Sequence, residues 1–62
     1  MNALDKNVLL NFAEMTLQYL TEAQEYSVTG LWSAKNMANK LYDKLLKYAP
    51  LVSGIIESES NT

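Results

Sequence analysis

The stretch Ala34–Tyr48, AKNMANKLYDKLLKY, decides how this chain is read. Ala34, Met37, Ala38, Leu41, Leu45 and Tyr48 recur at steps of three and four. At about 100° per residue, that spacing gathers them on one side of a helix. Lys40, Lys44 and Lys47 project from an edge of the opposite side, with Asp43 beside them. A helix of about fifteen residues is marginal alone in water, so its apolar stripe needs a cover. The flanking sequence is read as that cover.

Upstream, Leu4, Val8, Phe12, Met15, Tyr19, Ala23 and Tyr26 form a continuous stripe, widened on one flank by Leu9, Ala13 and Leu20. No Gly or Pro interrupts Ala3–Tyr26, which predicts one helix over 3–26. Asn2 suits its N-cap, and Asp5 places a carboxylate near the positive end of the helix dipole. Leu10 and Leu17 lie seven residues apart on a different face, as a second contact surface would require.

Ser27-Val28-Thr29-Gly30 breaks the periodicity and is expected to be the connection. So short a link makes the flanking helices antiparallel neighbours. The second helix is expected over 31–49, with Thr29 or Ser33 as its N-cap. It stops before Pro50, which lacks an N–H and disfavours helical geometry in the residue before it. Leu51, Val52, Ile55 and Ile56 then predict a short third helix over 51–57, weakened by Gly54, and 58–62 should fray. Trp32 sits at the start of the second helix, off its stripe.

Sixty-two residues allow a single domain. A chain this small usually needs a disulfide, a metal, self-association or very regular helix packing. It contains no Cys and no His, which removes disulfides and the thiolate and imidazole metal ligands. Self-association or a bound partner remains. The net charge of −2 argues against a chain built mainly to neutralise phosphates. Its distribution says more. Residues 1–29 carry Asp5, Glu14, Glu22 and Glu25 against Lys6, whereas residues 30–49 carry Lys35, Lys40, Lys44 and Lys47 against Asp43. Opposite signs suit side-by-side packing, although surface pairs contribute only about 0–1 kcal/mol each. Glu57 and Glu59 make the tail acidic. No apolar run approaches the roughly 18 residues of a membrane span, and no signal peptide is evident, so a cytoplasmic protein is expected.

Catalysis has few candidates. Without His or Cys, the usual general base and the thiolate nucleophile are missing. Glu22 and Glu25 share a turn, but the Glu-x-x-His motif of bundle metal sites lacks its His. No enzyme activity, metal or cofactor is expected. Lys40, Lys44 and Lys47 form a basic edge that could follow a nucleic-acid backbone. Asp43, however, is placed to pair with Lys47 and Lys40 and mute it. A helix-turn-helix reader usually places Arg, Asn or Gln at the start of its second helix, and this chain has no Arg at all.

Two resemblances are visible. In length, hairpin layout and acidic C-terminal tail the chain resembles the plasmid copy-number RNA-binding Rop family, dimers of helical hairpins. That architectural likeness implies nucleic-acid contact through Lys40, Lys44 and Lys47. Separately, Asn39–Leu46, NKLYDKLL, is similar to the Ser-Gln-Glu-Leu-Asp-x-Leu-Ile motif of sporulation aspartyl-phosphate phosphatases. Asp43, Leu45 and Leu46 match, while Asn39 replaces the Ser and Leu41 the acidic residue. This resemblance implies a hairpin acting on response regulators, centred on Asp43.

The sequence therefore predicts an all-α fold: an antiparallel helical hairpin plus a short C-terminal helix, dimerising into a four-helix bundle. Its expected role is non-enzymatic binding of another macromolecule, most of all a protein, as a regulator, inhibitor or assembly factor. Hot spots are rich in Trp and Tyr. Tyr19, Tyr26 and Tyr48 fall on core-facing stripes, which leaves Trp32, Leu10, Leu17 and Tyr42 as candidate partner-binding residues.

Overall fold

The computed structural model describes residues 1–61 as two helices in contact, α1 over Ala3–Thr29 and α2 over Trp32–Ser60. They form an antiparallel hairpin. At the start of α1 the Asn2 side chain accepts a hydrogen bond from the Asp5 N–H at 2.8 Å, the expected N-cap. The end of α1 differs from expectation. Ser27, Val28 and Thr29 are helical, and the connection is only Gly30 and Leu31. The Thr29 hydroxyl donates to the Glu25 carbonyl and accepts from the Leu31 N–H, so it is satisfied inside the helix. Gly30 alone stops α1. Its φ of 72° is left-handed, and its N–H donates to the Tyr26 carbonyl at 2.7 Å. Leu31 is the N-cap of α2, without a side-chain hydrogen bond, so neither Thr29 nor Ser33 fills that role.

The larger correction lies at Pro50. It sits inside α2, and the predicted break between 49 and 51 does not exist. There is no separate third helix. The reason is the phase of the apolar residues. Ala34, Ala38, Leu41, Val52 and Ile55 are the buried residues, and Leu45 is half-buried between them. Taken with Tyr48, these positions alternate steps of four and three straight through the proline. That is the 3.5-residue repeat of interdigitating helices. A proline in a helix interior costs about 3 kcal/mol, while burying Val52 and Ile55 contributes roughly 1.5–3 kcal/mol each. Pro50 is exposed, so the carbonyl it leaves unpaired can bond to water. The tail also stays helical to Ser60, where the Ser60 hydroxyl and the Asn61 N–H both donate to the Glu57 carbonyl. Thr62, in the segment expected to fray, lies outside the described residues.

On α1 the matching seam is Val8, Phe12, Met15, Tyr19, Glu22 and Tyr26, all half-buried and again spaced three and four. Leu4, read from sequence as part of this stripe, is exposed, and Asp5 is half-buried instead. Met37 and Tyr48 are exposed as well. Met37 lies on the flank of a seam that passes through Ala38, and Tyr48 opens onto a groove. The result is a rod of 45 × 16 × 15 Å with a radius of gyration of 14.0 Å. A compact domain of this length would have about 10–11 Å.

Candidate protein-binding surface

Three places answer to the residues singled out from the sequence. The first is the turn. Gly30 reverses the chain within two residues, which crowds Val28, Leu31 and Trp32 at one end of the rod. All three are exposed, Val28 at 77% and Trp32 at 67%. The Lys35 ammonium lies 4.4 Å from the Trp32 ring centroid and 5.6 Å from that of Tyr26. Cation–π contacts of this kind contribute about 0.5–1 kcal/mol at exposed sites. Here they tie the first turn of α2 to the end of α1. Sequence reasoning found Trp32 and missed its neighbours. The signal was Val28 and Leu31, large apolar residues beside a glycine turn that has no core to bury them.

The second place is the outer line of α1. Leu10 and Leu17 are exposed, as expected, and helical geometry turns them away from α2. Thr21 donates its hydroxyl to the Leu17 carbonyl at 2.9 Å. Trp32 lies on the side of α2 turned from α1, so Trp32 and the leucine pair are not one patch. Tyr42 belongs to neither. It is exposed at the edge of the helix contact, with its ring centroid 6.0 Å from that of Tyr19 and the planes tilted by 39°.

The third place is an open groove along one face, about 810 Å³ in volume, lined by Val8, Asn11, Glu14, Met15, Gln18, Lys44, Lys47 and Tyr48. A shallower hollow between Glu22 and Met37 continues it. Lys44 and Lys47 therefore stand across from Glu14, and the edge read from sequence as basic is of mixed sign. Lys40 and Asp43 are exposed beyond the groove. Among the described residues Asp43 makes no ion pair with Lys40 or Lys47, contrary to expectation; the ion pair present joins the Met1 amine to Glu59 at 3.1 Å. Among the described residues no helix is long and apolar enough to cross a membrane, and no three acidic residues gather where they could hold a metal ion.

No protein family, curated protein or solved structure matches this chain significantly.

Proposed function

We propose that this chain is a non-enzymatic binding protein, a homodimeric helical bundle that docks on another protein through its turn end. The observation carrying this reading is the exposed Trp32 at the turn, held by the Lys35 contact that also reaches Tyr26, with Val28 and Leu31 exposed at the same end. Interface hot spots are enriched in Trp, and this chain has one. A fixed aromatic side chain loses little entropy on binding, which favours its use as an anchor. The outer leucines Leu10 and Leu17 form the competing surface; Val28 continues their line on α1, and the two are separable at Trp32, which lies on the opposite side of the rod.

The test compares Trp32→Ala and the Leu10→Ser/Leu17→Ser pair with the unaltered protein as baits in quantitative capture from the native host. Both variants should keep their helicity and self-association. Trp32→Ala should lose at least ~2 kcal/mol of partner binding, about thirty-fold in affinity. If only the leucine pair loses binding, the turn end is not the site. Binding to nucleic acid that falls steeply with salt, and is weakened by Lys44→Glu, would instead favour the lysine edge.

A further inference from the structure

The two broad faces of the hairpin differ in kind. One carries the groove, where Val8, Met15 and Tyr48 are rimmed by the charged Glu14, Lys44 and Lys47 and by Asn11 and Gln18. With that face fixed, helical geometry assigns the opposite one. On α1 it runs through Leu9, Ala13, Thr16, Leu20 and Ala23. On α2 its exposed positions are Tyr42, Ala49 and Ile56, seven residues apart, flanking Ala38, Leu45 and Val52 of the contact with α1. The α1 run alternates steps of four and three and the exposed α2 line repeats every seven, so each helix carries a second seam flanking the one joining it to its partner. Leu20, Tyr42 and Ile56 on these seams are exposed. Charges reach this face only at its ends, through Asp5, Lys6 and Glu59 at the open end and Lys35 at the turn.

Area indicates what covers it. The chain exposes 4808 Å², against about 4,000 Å² for a compact monomer of its mass. A face of 45 × 16 Å is on the order of 700 Å², close to that excess. Two such faces joined would bury about 1,400 Å², within the roughly 1,200–2,000 Å² of stable interfaces. We infer that this face, uncharged along its middle, is where two copies of this chain join, hairpin against hairpin, into a four-helix bundle with both charge-rimmed grooves outward. The inference rests on the homodimer proposed above and specifies its interface. A second copy fits because it offers a seam of the same length and repeat, so that knobs on each helix meet holes on the other. Tyr42 then belongs to the dimer contact, while Trp32, Leu10 and Leu17 stay accessible.

The absence of cysteine gives a clean test, since any thiol introduced is the only one. Ala13→Cys and Ala49→Cys place thiols on the inferred interface with little change of volume; Asn11→Cys and Gln18→Cys place them on the groove. Sedimentation over a range of concentrations reports association, and the rate of maleimide modification reports access. The two interface thiols should be protected by about ten-fold or more, protection fading on dilution as dimers part, while the groove thiols react freely throughout. A dimer that protects Asn11→Cys and Gln18→Cys overturns the face but leaves the bundle standing. A dimer that protects neither pair overturns both the face and the bundle. A helical monomer persisting at millimolar concentration overturns the homodimer itself.

Discussion

A Cβ added at Gly30 or at Gly54 meets no atom within 4 Å, so substitution at either glycine is decided by the backbone alone. At Gly30 the φ of 72° is one that a side chain resists. Gly30→Ala should therefore destabilise the hairpin by about 1 kcal/mol, and Gly30→Asn by less, since Asn tolerates the left-handed region better. Gly54 is an exposed position inside α2. There the loss of chain entropy dominates, and Gly54→Ala should stabilise by about 0.5–1 kcal/mol. Urea denaturation of the two alanine variants should shift the midpoint in opposite directions. The same scale shows what single residues could and could not disclose. The Asn2 cap was legible because an Asn followed three residues later by an acidic residue has a single local use. The Ser27–Thr29 segment was misread because a hydroxyl that favours a loop can equally bond back to a carbonyl one turn earlier, as Thr29 does to Glu25.

Elements were legible where the apolar spacing was strong and misread where one residue seemed to overrule it. Pro50 was taken as a stop by its chemistry, yet Val52 and Ile55 keep the phase set by Ala38, Leu41 and Leu45. A true new helix would have had no reason to inherit that phase, and this is the signal that could have joined the two segments. The continuous helix implies that Pro50 is tolerated at a cost. Pro50→Ala restores an N–H for the Leu46 carbonyl and should raise stability by about 1–3 kcal/mol, with greater ellipticity at 222 nm. A loss of stability on this substitution would mean that the chain breaks at Pro50 after all. The candidate site follows the same logic. Leu10 and Leu17 were found because they violate a stripe; the apolar turn was only partly found, because no periodicity runs through it.

On the scale of the whole molecule, the hairpin leaves its helices half dressed. Among the described residues every buried one lies on α2, and α1 offers at most half-buried positions in return. The sequence foretold this shortage, since its apolar residues outnumber what one helix contact can cover, but it did not show which face stays open. That depends on how the flanks of two antiparallel helices align, which a single helix's periodicity does not contain. The last prediction tests how far the fold depends on its seam. Met15 and Leu45 are half-buried on the contact between α1 and α2, and Leu45 also borders the second seam. A carboxylate at Leu45 faces α1 with no cationic partner built for it, and one at Met15 must leave the seam to reach Lys44 or Lys47 across the groove; desolvating an unpaired charge is costly. Met15→Asp and Leu45→Asp should each abolish helicity and self-association together. Leu10→Asp is the matched control: its position is exposed and outside both seams, so stability should change by no more than about 0.5 kcal/mol. Circular dichroism and sedimentation on the three variants separate the outcomes. Helical monomers from the first two would place those side chains in the dimer contact alone, whereas collapse of all three would mean that the outer line of α1 is itself covered.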